Sequence, residues 1–152
     1  MAAAAYQLAQ LNLAWLKAPI DSPQLAEFVA NIGRINGIAE SAPGFVWRLR
    51  DESSDTSAGE QPFGPDMLAN LSVWRDVAAL RDFAYRGAHV DFVHRRREWF
   101  QSIEEARVVL WWIPAGHIPS LAEAAERLAQ LREHGSSRQA FTFANPYPAP
   151  MP

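Results

Sequence analysis

Between Ser72 and Phe100 the chain reads SVWRDVAALRDFAYRGAHVDFVHRRREWF, which holds two of its four histidines and two of its six tryptophans. Within it His89, Phe92 or Val93, Arg96, Trp99 and Phe100 recur every three or four residues, so a helix puts them on one face. An imidazole on that face can move a proton near neutral pH. A guanidinium can hold an anion through its fixed fork of donors. Polar strand residues would meet them. Gln10 and Asn12 fall on one face of an N-terminal strand, and Asn70, Ser72 and Trp74 on one face of another. The combination predicts a concave site with His89, Arg96 and Asn12 as catalytic groups, Asn12 orienting a carbonyl or an oxyanion. Trp74, Gln10, Asn70, Ser72, Tyr85, Phe92 and Trp99 are the substrate-binding candidates.

Each of these residue types also has a purely structural use. His94 sits half a turn off the stripe and reads as solvated unless it ligates. The run Arg95-Arg96-Arg97 resembles a nucleic-acid patch, but Asp82, Asp91, Glu98, Glu104 and Glu105 surround it and point to ion pairs on a wet face. Arg86, beside Gly87, falls near the expected pocket mouth. Trp47, Trp111 and Trp112 are ordinary core residues by type. His117 lies in a loop after a strand, and His134 near a helix C-terminus, where a cation favours the dipole. His89 and His94 with Asp91 are too poorly spaced on a helix to chelate, so no metal site is expected. No glycine-rich phosphate loop, dinucleotide fingerprint or nucleophile elbow is present.

These side chains need elements to position them. Residues 6–15 alternate as a strand, with Ala9, Leu11, Leu13 and Trp15 on one face and Leu8, Gln10 and Asn12 on the other. Asp21 or Ser22 can cap a helix with Pro23 in its first turn, and Leu25, Phe28, Val29, Ile32, Ile35 and Ile38 carry its stripe to about Ser41. Pro43 and Gly44 end it. Strands are expected at 45–50 and 67–74, separated by an exposed loop over 51–66. Asp76 opens a short helix to about Tyr85. Gly87 breaks it, and a second helical piece is expected from 88 to about 103. Val108–Ile113 is wholly apolar and predicts a buried central strand. Ser120 and Glu123 have capping-box spacing before a helix that Gly135 ends. Phe141–Phe143 suggests a short edge strand. The proline-rich tail over 145–152 can be ordered only by docking.

The order β-α-β-β-α-β with an added helix predicts an α+β fold, a ferredoxin-like antiparallel sheet with helices on one face. Leu11, Leu13, Trp15, Leu71 and Val73 would line the bare face. A second copy would then cover it, giving a homodimer. A length of 152 residues suits a single domain. Net charge of −3 gives no general pull toward nucleic acid or anionic membranes. There are no cysteines. This excludes disulfides and thiolate chemistry and fits a reducing cytoplasm, the expected location. No segment is long and apolar enough to predict a membrane span, and the N-terminus lacks the basic region of a signal peptide.

The strings AYRGAHVDFVHRRREWF, VLWWIPAGHIPSLAEAAERLAQLREHG and AFTF, with the element order, resemble a bacterial family known as domain of unknown function 3291. That family is similar to the dimeric α/β-barrel superfamily, whose members include cofactor-independent monooxygenases of antibiotic pathways and haem-degrading enzymes. The resemblance implies a pocket between sheet and helices. In those members it is built from an Asn on the first strand, a Trp on the second helical segment and, in the haem group, a His further along. Asn12 matches the Asn. Phe83 falls near the Trp position and joins the substrate-binding candidates. His94, or His89, falls near the His position and is the candidate haem ligand. The implied activity is oxygenation, or a related rearrangement or cyclisation, of a small apolar or aromatic molecule of the secondary-metabolite type. No cofactor is expected for it; haem is the alternative, and a non-catalytic ligand-binding dimer the third reading.

Overall fold

A computed structural model of the chain describes residues 6–19, 21–49, 67–86, 98–101 and 106–150. The described elements are β1 (Tyr6–Leu16), α1 (Ala26–Ser41), β2 (Phe45–Arg48), β3 (Met67–Trp74), α2 (Val77–Arg86), β4 (Phe100–Gln101), β5 (Val108–Pro114) and α3 (Leu121–His134), with one 3-10 turn at Pro23–Leu25 before α1. The strands form one antiparallel sheet in the order β2-β3-β1, and β4 and β5 share the far edge of β1. The molecule is thus a mixed α+β fold around an open five-stranded sheet.

The strand alternation sorts side chains between two covered faces. Ala9, Leu11 and Leu13 join Leu71, Val73, Val109, Trp111 and Ile113 against Ala124, Leu128 and Leu131 of α3. The stripe on α3 has the spacing that turns one helical face inward. Ser120 Oγ accepts from the Glu123 backbone N–H at 3.1 Å and caps its start. The expectation of a bare face for a second copy is therefore corrected. Leu11, Leu13, Leu71 and Val73 are no more than 1% exposed within the single chain, and only Trp15, at 40%, remains outside. The apolar stripe of the added helix needs a partner as much as the sheet does.

The opposite face carries α1 and α2. Here the cover comes in two clusters. Leu8, Trp74, Leu110 and Phe141 pack with Ala79 and Leu80 of α2. Leu16, Leu25 and Trp99 form the second, with Phe28 of α1 against it. α1 reaches from one to the other, since Ala39 packs on the first. None of its residues is fully buried. Gly44, in the turn from α1 to β2, has φ of 85°, and a Cβ there would stand 2.5 Å from that of Ala79. Glycine is required on both counts.

Two further expectations change. Val108–Pro114 is not a central strand: it pairs with β1 alone among the named strands, and among the described residues its outer edge meets Phe141, through reciprocal backbone bonds of 2.9 Å with Leu110. Its unbroken apolar run reflects two covered faces, not a central place. The helix expected from 88 to about 103 does not include Phe100 and Gln101, which pair with Leu16 and Trp15 of β1. Trp99 and Phe100 hence belong to a turn and strand, off any helical stripe. Within the tail, the Tyr147 carbonyl accepts from Trp112 Nε1 at 2.9 Å and the Tyr147 ring meets Phe141, centroids 5.9 Å apart. No described helix is long and apolar enough to cross a membrane.

Candidate functional site

On the α1/α2 face, between the two apolar clusters, the sheet floor turns polar. β1 and β3 put Gln10 opposite Ser72 and Asn12 opposite Asn70. Gln10 and Ser72 are the buried polar residues among those described, 7% and 5% exposed. Burial of such groups is tolerable only with partners. Ser72 Oγ receives the Trp74 Nε1–H at 2.9 Å and lies 2.8 Å from the side-chain nitrogen of Gln10. A hydroxyl can accept twice, and it still has its own proton to give. Trp74 is held in turn by Phe83, stacked at 5.1 Å, and by Phe45, edge-on at 5.4 Å. At 1% exposure its ring offers no open face; its indole fixes Ser72.

One row along, the floor opens. Asn12 is half-buried and Asn70 is exposed. Asn12 Oδ1 accepts from Arg107 Nη1 at 3.1 Å. Arg107 precedes β5 where the alternation slips, Ala106 packing toward the α3 cluster and Val108 toward the other. The irregularity lets the Arg107 guanidinium reach across to Asn12. Sequence reasoning missed Arg107 because it lies outside every periodic stripe; its place directly before a strand paired to Asn12 was the available signal.

The structure thus brings Gln10, Asn12, Asn70, Ser72, Trp74 and Phe83 together. It does not bring in Trp99, which is buried in the second cluster beside Phe28, their ring centroids 5.5 Å apart. Nor does it bring in Tyr85, which is 62% exposed and meets the ring of Phe143. His89, Phe92, His94 and Arg96 lie outside the described residues. The described histidines are His117, in the loop before α3, and His134, in its last turn. Among the described residues no group of three potential metal-binding side chains occurs.

Two other places carry polar chemistry. A groove of about 600 Å³ opens between α1 and α2, lined by Arg34, Ile38, Ala42, Arg75, Asp82 and Phe83. Phe83 is its inner wall and stacks on Trp74 behind, so the groove lies outside the floor. On the other side of the sheet Glu123 joins Trp111 Nε1 at 2.9 Å to His117 Nε2 at 2.7 Å. Burial pushes the Glu123 carboxyl up, but the hydrogen bonds from His117 and Trp111 and the nearby charges of His117 and Arg127 outweigh it and hold it below its usual range. That arrangement ties the β5–α3 loop to the core.

A search of curated proteins found no match. Among solved structures, a crystal structure of a protein of unknown function from Nitrosomonas europaea is similar at 17% identity, over 78% of this chain and 99% of that one, with a TM-score of 0.45. The family model described as a domain of unknown function (DUF3291) matches residues 7–152, and the chain belongs to that family.

Proposed function

We propose that the chain binds a small, largely apolar or aromatic molecule over the polar floor of the α1/α2 face and acts on it by oxygenation or a related rearrangement. One observation carries the reading: amide and hydroxyl side chains are laid across an otherwise apolar sheet face, with the inner pair locked and the outer pair open. Apolar walls with a few placed polar groups are the usual make-up of a small-molecule site. In this reading Asn12 orients a substrate carbonyl, Gln10 and Ser72 keep the floor rigid, and Trp74 with Phe83 braces one wall. His89 is the proton-transfer group and Arg96 the cation that holds an anionic intermediate, both assigned from sequence spacing. The strand order supports a split β-α-β, ferredoxin-like description of the fold.

The test is a panel of small aromatic ketones and phenols, followed by indole fluorescence and by oxygen uptake. A productive compound should shift the fluorescence and consume oxygen, and Asn12→Leu should slow its turnover about 100-fold, the usual loss of one oriented amide donor. Binding without oxygen uptake or product removes the catalytic part. No fluorescence response across the panel removes the site.

A further inference from the structure

The guanidiniums near the α1/α2 face are not equally matched. Arg48 is locked to Glu40, Nε to Oε2, at 2.7 Å. Arg75 Nε lies 3.4 Å from Asp76 Oδ2. Arg81 donates to the Phe143 carbonyl at 3.1 Å and lies over that ring. Arg34 and Arg81 also donate to neutral oxygens, but both are exposed. Arg107 is half-buried, its partner is the neutral oxygen of Asn12, and among the described residues no carboxylate stands within ion-pair distance. A guanidinium has five N–H donors in a fixed fork, and the bond to Asn12 uses one. A cation in partial shelter with no counter-charge is costly unless a ligand supplies one.

We propose that Arg107 and Asn12 form an anion subsite at the open end of the floor, and that its ligand carries a single carboxylate on an apolar or aromatic body. The inference rests on the small-molecule reading above and names the substrate class of that site. Among the described residues the charge count argues for a monoanion: one fixed positive charge, Arg107, stands beside two neutral amides, Asn12 and Asn70, and Arg48 is already paired with Glu40. Planar carboxylates suit the guanidinium fork. With Oδ1 occupied by Arg107, Asn12 has its amide N–H groups left to donate to the same anion. Gln10 lies two residues along β1, roughly 7 Å away by strand geometry. That is the span of a small aromatic acid, whose body would then lie between the flanking apolar clusters.

The test uses phenylacetate, its neutral amide phenylacetamide, and benzylphosphonate, each titrated calorimetrically at low salt into the wild type, Arg107→Gln and Arg107→Lys, with melting curves alongside. Phenylacetate should bind the wild type at least tenfold more tightly than phenylacetamide. Arg107→Gln should erase that preference by weakening phenylacetate far more than phenylacetamide; Arg107→Lys should keep part of it. If Arg107→Gln does not fold, Arg107→Lys decides, since loss of the fork with charge retained should still lower the ratio. Equal wild-type affinities for acid and amide overturn the anion subsite while the small-molecule site stands. A preference that survives Arg107→Gln overturns the role of Arg107, and a melting-temperature drop alone then marks it as structural. Tighter binding of benzylphosphonate than of phenylacetate overturns the carboxylate class. Absence of binding by all three, together with a silent fluorescence panel, overturns both the site and its anion end.

Discussion

The two faces of the sheet bury their side chains in opposite styles. On the α3 side, one continuous cluster runs from Ala9 and Leu13 through Val73 and Trp111 to Leu128. Its polar atoms stay at the rim, where Glu123 joins the indole of Trp111 to His117. On the α1/α2 side, two clusters are separated by Gln10, Ser72, Asn12 and Asn70. A seamless apolar face makes stability and nothing else. A face interrupted by amides gives up some of that stability, and the interruption is where recognition can occur.

Substitutions on the two sides should separate the two effects. The largest loss of stability belongs to the closed face: Leu128→Ala, at a site 2% exposed, should cost about 2–5 kcal/mol in denaturant unfolding. It should leave any ligand affinity within twofold. A matching loss of affinity would mean the faces are coupled and the comparison is too simple.

Ser72→Ala comes next. It removes the acceptor of Trp74 Nε1 and the partner of Gln10 in a buried place, and should cost about 1–3 kcal/mol. Unlike Leu128→Ala it should also change the indole emission and weaken ligand binding, because it frees the ring that stiffens the floor. A stability loss with unchanged binding would confine the hydroxyl to packing.

The smallest effect is at the rim. Glu123→Gln keeps an acceptor for Trp111 but removes the charge facing His117 and Arg127, and should cost about 0.2–1 kcal/mol at neutral pH, as exposed ion pairs do. Because the folded carboxyl titrates below its unfolded value, its contribution is complete above the unfolded value and is lost as pH falls through the folded one. Melting curves of wild type and Glu123→Gln should therefore converge as the solution becomes acidic. A gap that widens on acidification would contradict the sign.

Much of the fold was legible because it is local. The alternation in β1 and β3 sorted Ala9, Leu11 and Leu13 from Leu8, Gln10 and Asn12, and the same two sets occupy opposite faces. Ser120, Glu123 and Gly135 marked the ends of α3 by capping chemistry. That Gln10, Asn12, Asn70, Ser72 and Trp74 share one face was legible for the same reason, since strand parity places them, whereas Phe83 entered only through the family resemblance. Trp99 was misassigned because three- and four-residue spacing continued past the point where the backbone became extended. Helical periodicity cannot register a strand of two residues.

What the amino-acid sequence determined, then, is which side chains share a face: that depends on the two-residue repeat of a strand and the 3.6-residue repeat of a helix. What only the tertiary structure decided is what each face meets. α3 covers the side expected to be bare, Phe141 closes the edge of a strand expected to be central, and Arg107 crosses to Asn12, 95 residues away in the chain. An apolar stripe specifies that it must be buried but not against which partner. An arginine outside any stripe carries no period at all, so its neighbours exist only once the sheet has brought β1 and β5 side by side.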